Sequence, residues 1–233
     1  MKFSVVIPAR NEEQKIASVV RSLLRQDYPR SEFEIIVVDN GSSDATSAHA
    51  KSAGADKVLR EEKPGTNIAR QRGVVESRGE IIGFLDADSE APSDWLKKVE
   101  MFLKNPGVVA VSGPYDMNLI GWKGRLELIY AHKLLPVIDR VLYFIFRKKA
   151  GVIIGGNFAA WRWAIDKIGG LPPLVFWGDD AAIAMMLSRK VGKVLFTPEI
   201  EVKNSPRRYD RRGFLRLSFL YAWNYFKMYF TIK

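Results

Sequence analysis

Short apolar runs that end in polar turns alternate, along the first half of this chain, with stretches whose apolar residues recur at helical spacing. Residues 3–7 are one such run, ended by Pro8, and read as a buried strand. Ile16, Val19, Val20, Leu23 and Leu24 then line one face of a predicted helix. Asn11 is its expected cap, with Gln14 completing a capping-box-like pattern. Residues 34–38 and 80–85 are two further strong strands, and 57–59 and 108–112 two shorter ones. Helices are predicted around 45–52, 67–77 and 93–103. The second half is less regular. It predicts a helix over 121–146 interrupted at Pro136, helices over 161–168 and 179–189, a strand at 193–196 and an aromatic terminal segment over 214–230.

Strands alternating with helices of this length predict an α/β fold, a mainly parallel sheet with helices on both faces. Ligands of such sheets gather at the carboxyl ends of the strands. The turns after the first strand (residues 8–12), the second (Asp39) and the 80–85 strand (Asp86 to Asp88) are all expected there. No repeat, low-complexity stretch or linker breaks the chain, so one domain is expected. Its expected parts are residues 1–118, residues 119–212 and an aromatic terminal segment over 213–233.

At 233 residues and 47% hydrophobic composition the chain can bury a substantial core. It has no cysteine, which excludes disulfides and thiolate metal sites and fits a cytoplasmic setting. The N-terminus lacks a basic region followed by a long apolar stretch, so no signal peptide is expected. The net charge of +10 is concentrated in residues 119–233, which hold 20 Lys+Arg against 8 Asp+Glu. Such a surface attracts phosphorylated substrates, anionic membranes or nucleic acid.

The sharpest chemical feature is Phe84-Leu-Asp-Ala-Asp-Ser89. Two carboxylates one residue apart, just past a buried strand, offer hard oxygen ligands to Mg²⁺ or Mn²⁺. A metal there could neutralise charge on a leaving diphosphate. The plainer reading is an Asp-rich turn before the helix near Ser93. No Gly-x-Gly-x-x-Gly follows the first strand and no Gly-x-x-x-x-Gly-Lys occurs. Dinucleotide oxidoreductases and P-loop hydrolases are therefore not indicated.

Three segments in order, Val5-Val-Ile-Pro-Ala-Arg-Asn-Glu-Glu13, Val37-Val-Asp-Asn-Gly-Ser-Ser-Asp-Ala-Thr46 and Phe84-Leu-Asp-Ala-Asp-Ser89, resemble the motifs of family 2 inverting glycosyltransferases. The resemblance implies a GT-A fold, a UDP- or GDP-sugar donor and a bound Mg²⁺ or Mn²⁺. It implies that Pro8, Ala9, Asn11 and Glu12 line the nucleotide pocket and that Asp39 hydrogen-bonds the base. Arg70, in Asn67-Ile-Ala-Arg-Gln-Arg-Gly73, would lie beside the base or diphosphate. Asp86, with Ala87, would face the ribose and metal, and Asp88 would be the direct metal ligand. For Asp39 and Arg70 a structural ion pair or turn hydrogen bond is the alternative.

Trp177-Gly-Asp-Asp-Ala-Ala-Ile183 resembles the family's acidic motif, which implies that Asp180 is the catalytic base and Asp179 its acidic neighbour. Helix N-capping is the alternative for both. The family often has arginine six positions after the base; here Met186 stands there and Arg189 follows. Gly155-Gly-Asn-Phe-Ala-Ala-Trp-Arg162 resembles an acceptor-side turn, assigning Gly156, Asn157 and Trp177 to the acceptor side. A simple tight turn is the alternative. Ser205-Pro-Arg-Arg-Tyr209 partly resembles a motif that closes over the diphosphate, with Arg208 as its contact and Tyr209 where Trp is usual. A solvated basic loop is the alternative. His49 and His132 read as structural.

Residues 134–146, followed by Arg147-Lys-Lys149, and the aromatic 214–230 segment suggest a peripheral surface on the cytosolic face of a membrane. They are too short or too charged to span it. Core helices or a dimer interface are the alternative. With a membrane surface, a polyprenyl phosphate or glycolipid acceptor is expected, and no nucleic acid. Two other functions compete: a non-catalytic nucleotide-, nucleic-acid- or membrane-binding module, which needs neither carboxylate pair, and a sugar nucleotidyltransferase, which needs an early triphosphate loop that residues 8–13 match poorly.

Overall fold

The computed structural model describes residues 1–116, 149–173, 179–205 and 214–232, with positions 137, 141 and 144 between them and side chains of the terminal segment from 223 onward. Trp177, Arg208, His132, most of 121–146 and the 206–209 motif lie outside the described residues.

Ten strands and seven α-helices are described. The strands are β1 Phe3–Ala9, β2 Phe33–Asp39, β3 Lys57–Arg60, β4 Ile81–Leu85, β5 Ser89–Glu90, β6 Val108–Ser112, β7 Tyr115–Asp116, β8 Asn157–Trp161, β9 Lys193–Phe196 and β10 Val202–Asn204. The helices are α1 Ile16–Leu24, α2 Thr46–Ser52, α3 Thr66–Glu76, α4 Trp95–Leu103, α5 Arg162–Lys167, α6 Asp179–Lys190 and α7 Phe214–Thr231. Seven strands form one sheet in the order β3-β2-β1-β4-β8-β6-β9. Every neighbouring pair is parallel except those made by β8, which runs antiparallel to β4 and β6.

Both faces of this sheet are covered, which is why β1, β2 and β4 read as unbroken apolar runs. Phe3, Val5 and Ile7 of β1 pack with Ile16, Val19, Val20 and Leu23 of α1 and with Trp95, Leu96 and Val99 of α4. Val6 points the other way, into a layer with Ala69 and Val74 of α3, Ile165 of α5 and Ile183 and Leu187 of α6. A Cβ on Gly73 would stand 2.3 Å from Val6 Cγ1, so the missing side chain is what lets α3 lie directly on β1. The terminal helix packs separately on α6, with Tyr229 fully buried beside Ala150, Ala181 and Met185.

Two local expectations are corrected, and one element was not foreseen. Asn11 does not cap α1: its φ is +54°, and the helix begins five residues later behind Lys15, without a side-chain cap. Asn tolerates the left-handed region where most side chains clash, and this bend takes Asn11 to the 40–46 loop. There its Oδ1 accepts from Ser43 N at 2.9 Å and its N–H donates to Ser42 Oγ at 3.0 Å. Residues 157–161, read as part of a turn, form a central strand. The short strands β5, β10 and β7 form a second, three-stranded sheet that the sequence did not announce.

Candidate active site

Parallel strands β1, β2 and β4 end together, so the turns after Ala9, Asp39 and Leu85 share one edge. The first two turns lock each other. Glu12 N–H donates to Thr46 Oγ1 at 2.8 Å, Glu13 N–H to Asp44 Oδ2 at 3.1 Å and Ala45 N–H to Glu13 Oε2 at 3.1 Å. Pro8 and Ala9 lie at the end of β1 beside Val38 and Asp39. Asp39 is buried and its carboxylate bridges its own turn, accepting from Ser42 N at 2.8 Å and from the Ser47 hydroxyl. Burial works to raise its pKa, but these hydrogen bonds and Arg60 outweigh it and hold the group ionised below the usual range. An ionised acceptor at a strand end suits a base N–H, since each oxygen carries a further lone pair.

The Asp86–Asp88 turn is built from four directions. Antiparallel register pairs Leu85 with Asn157, which brings the Gly155–Gly156 turn directly over Asp86. A Cβ on Gly156 would fall 2.1 Å from Asp86 Cγ, and one on Gly155 would fall 3.0 Å from Arg70 Nη2. The close approach that these glycines permit is to an ion pair of the protein itself. Asp86 Oδ1 meets Arg70 Nη2 at 3.1 Å and its Oδ2 accepts from the Tyr115 hydroxyl at 2.8 Å. Asp88 Oδ1 accepts from Asn204 Nδ2 at 3.2 Å, and the same amide donates to Ser89 Oγ at 2.7 Å. Tyr115 belongs to β7 and Asn204 to β10, so the small sheet grips both carboxylates of the turn. Neither residue was singled out from sequence, because strands of two or three residues carry no periodic signal. Ala87, between the two carboxylates, is buried.

Asp179 and Asp180 open α6, and each carboxylate accepts from the N–H of the residue that follows it. Asp180 N–H donates to Asp179 Oδ1 at 3.0 Å, and Ala181 N–H to Asp180 Oδ1 at 2.8 Å. The helix end reaches the Asp86 turn through one side chain: Arg70, paired with Asp86, has its Nη1 3.4 Å from Asp179 Oδ2. Desolvation, then the charge of Asp179, pushes Asp180 up to about 6 against the pull of the Ala181 N–H, Arg70 and the Gly155 N–H. Asp179 is also raised, chiefly by desolvation and further by Asp86, with Arg70 opposing. A carboxyl raised in this way changes its charge closer to neutral pH than a free one does.

Asn157 is fully buried and its amide serves the fold. Its Nδ2 donates to Pro114 O at 3.0 Å and Ile200 O at 2.8 Å, while its Oδ1 accepts from Trp95 Nε1 at 3.0 Å. Arg189 is likewise engaged internally, donating to Lys149 O at 2.7 Å and Tyr229 O at 3.0 Å, which ties α7 to α6. His49 Nδ1 contacts Glu13 O at 2.8 Å, the structural role expected of it.

A divalent ion would find hard oxygens only. Among the described residues no group of three or more His, Cys, Asp or Glu converges, so Asp86 and Asp88 are the carboxylates on offer. That set fits Mg²⁺ or Mn²⁺, which complete their shells with waters and substrate phosphates.

A mainly parallel sheet with an Asp-x-Asp turn at its carboxyl edge is the GT-A architecture. The chain belongs to glycosyl transferase family 2, whose sequence profile matches residues 4–169. Glycosyltransferase AglE of Haloferax volcanii is 36% identical over 132 residues, covering 54% of this chain and 40% of that protein. Glucosyl-3-phosphoglycerate synthase of Mycolicibacterium paratuberculosis is 33% identical over 176 residues, covering 69% of this chain and 53% of the relative. The chain thus spans about half the length of the curated relatives it matches. Among solved structures, the mannosyltransferase PcManGT of Pyrobaculum calidifontis, in complex with GDP-Man and Mn²⁺, aligns with a TM-score of 0.70 at 23% identity, over 88% of this chain and 56% of that one. Glucosyl-3-phosphoglycerate synthase of Mycobacterium tuberculosis, with Mn²⁺, UDP and glucosyl-3-phosphoglycerate, aligns at 0.66 and 23% identity, over 98% and 80%. Likeness at this identity establishes the shared fold.

Proposed function

We propose that this chain is a metal-dependent inverting glycosyltransferase that moves a sugar from a UDP- or GDP-sugar to a membrane-lipid acceptor such as a polyprenyl phosphate or glycolipid. The observation that carries it is the Arg70 guanidinium, which meets both Asp86, of the Asp86/Asp88 turn, and Asp179, beside Asp180, and so links two carboxylate pairs from distant parts of the sequence. Asp39 accepts from the base, and the interlocked 8–13 and 40–46 turns shape the pocket around it. Asp86 and Asp88 would hold Mg²⁺ or Mn²⁺ against the diphosphate. Bound there, the metal supplies positive charge to the departing nucleoside diphosphate. Asp180 takes the proton of the acceptor hydroxyl as that oxygen forms its bond to the anomeric carbon. The bond from that carbon to the diphosphate oxygen breaks on the opposite face, so configuration inverts. Towards an acceptor phosphate, already a nucleophile, Asp180 orients rather than deprotonates.

The lipid acceptor and a peripheral membrane position draw support from α7. Trp223, Phe226 and Phe230, at i, i+3 and i+7, are 64%, 43% and 56% exposed, while Tyr229, about a quarter turn round the helix, is buried. Val137, Val141 and Phe144, at similar spacing, are exposed as well. Exposed aromatic stripes beside basic segments suit an interfacial helix. No helix among the described residues is long and apolar enough to cross a membrane.

The test is nucleotide release from a UDP- and GDP-sugar panel with Mn²⁺, offered polyprenyl phosphate, a diacylglycerol glycolipid or 3-phosphoglycerate. Release stimulated by either lipid is expected. Stimulation by phosphoglycerate alone would overturn the lipid reading. The Asp180→Asn variant should lose transfer to a hydroxyl acceptor by about 100-fold or more while binding UDP or GDP as the unaltered chain does. Full activity in that variant would remove Asp180 as the base.

A further inference from the structure

The segment Asn67-Ile-Ala-Arg-Gln-Arg-Gly73 resembles a donor-side motif, yet its side chains also reach residues 171–172 and Asp179. Residues 67, 70 and 71 share one face of α3. Asn67, fully buried, donates from Nδ2 to Pro172 O at 3.1 Å. Gln71 Oε1 accepts from Leu171 N–H at 2.8 Å. Both thus hold residues 171–172. Arg70, between them, is 4% exposed, and its two terminal nitrogens meet different carboxylates: Nη2 meets Asp86 at 3.1 Å and Nη1 meets Asp179 at 3.4 Å. Asn67 Oδ1 accepts from Nη1 at 3.1 Å and fixes the plane of the fork. Gly155 presses on the guanidinium from above, where a Cβ would stand 3.0 Å from Nη2. Nε is buried with no hydrogen-bond partner among the described residues, so the whole group is enclosed by protein.

We propose that Arg70 is a positioning residue that sets the distance between the donor-side carboxylates and the base. Asp86 lies two residues before the metal-side Asp88, and Asp179 immediately precedes Asp180. One rigid, planar, permanently charged fork therefore fixes the spacing between the site that receives the diphosphate and the site that receives the acceptor proton. In-line displacement depends on that spacing, since misplacement by about 1 Å can cost about 100-fold in rate. A lysine reaches only one point and cannot hold both carboxylates. Asn67 and Gln71 serve the same frame by fixing the segment at 171–172. The inference rests on Asp180 acting as the base.

The experiment compares the unaltered chain with Arg70→Ala, Arg70→Lys and Asp180→Asn. It reads kcat and KM on the most productive donor of the UDP- and GDP-sugar panel, UDP and GDP affinity by calorimetry, and thermal melting. A positioning role predicts that both Arg70 variants lose about 100-fold in kcat, with nucleotide affinity within about threefold. Adding guanidinium ion at millimolar concentration to Arg70→Ala should restore part of the rate, which a general loss of stability would not allow. Combining Arg70→Ala with Asp179→Asn should cost little beyond Arg70→Ala alone. Unchanged kcat with weakened nucleotide binding would make Arg70 a donor contact and overturn the proposal. If Arg70→Ala fails to fold, a folded Arg70→Lys with undiminished kcat overturns it equally. Full activity in Asp180→Asn, or no release by the unaltered chain from any donor, would instead remove the reading on which the inference rests.

Discussion

Asp180 is placed where burial and an adjacent negative charge both oppose its ionisation, and its pKa of about 6 gives the site a pH signature. A general base works only when deprotonated. With a hydroxyl acceptor, kcat/KM should therefore be level above pH 7 and fall about tenfold per pH unit below about 6. A profile flat down to pH 5 would contradict the assignment. The residue scale also explains Gly156. A methyl group there would enter the space of Asp86 Cγ at 2.1 Å and the Tyr115 hydroxyl at 2.2 Å. Gly156→Ala should lower stability by about 1–3 kcal/mol, the usual cost of overpacking. It should also reduce metal-dependent nucleotide release more than nucleotide binding. Melting curves beside the release assay check both effects, and wild-type values in each would remove the close contact from the account.

At the scale of elements, the sheet has a second polar cluster at its opposite end. Glu34 of β2 is buried and accepts from Ser4 Oγ at 2.6 Å and Arg78 N at 2.7 Å, with Lys57 Nζ at 3.2 Å. Burial would raise its pKa, but these partners outweigh burial and lower it. A carboxylate depressed on folding contributes stability that is complete above its unfolded pKa and is lost as pH falls through its folded pKa. Glu34→Gln should therefore lower the melting temperature at pH 7. The loss should correspond to about 3 kcal/mol, as when one partner of a buried ion pair is removed. The gap should narrow in acid; an equal gap at pH 3 and pH 7 would contradict the linkage. The exposed stripe of α7 makes its own prediction. Replacing Trp223, Phe226 and Phe230 by serine should release the chain from anionic vesicles in a sedimentation assay while leaving melting nearly unchanged. Retained vesicle binding would take membrane contact away from α7. The elements best read in the sequence are those buried on both faces, β1, β2 and β4, since an apolar run bounded by turn residues admits few other structures. Strand β8 was missed because Phe158-Ala-Ala-Trp161 is short, alanine-rich and preceded by a glycine pair that speaks of a turn. The β5–β10–β7 sheet was missed because its strands are two or three residues long. Asn11 was read as a cap from its residue type, but the backbone turned left-handed to meet Ser42 and Ser43.

Over the whole molecule, the carboxylates of the site were legible one motif at a time, whereas their connection was not. Arg70 and Asp179 are 109 positions apart in sequence, and only the fold brings them within 3.4 Å. Tyr115 and Asn204 were equally hidden, because their contacts with Asp86 and Asp88 depend on a sheet that sequence periodicity cannot reveal. The central claim is that the two halves, joined in this way, transfer sugar from a nucleotide donor with a metal held at Asp86 and Asp88. The measurement that tests it most directly is nucleotide release from UDP- and GDP-sugars in Mn²⁺ and in EDTA, for the unaltered chain and for Asp88→Asn. The account predicts release in Mn²⁺, abolished by EDTA and reduced by about 100-fold or more in Asp88→Asn. Release that is indifferent to both EDTA and Asp88→Asn, or absent from every donor with acceptor present, would contradict it.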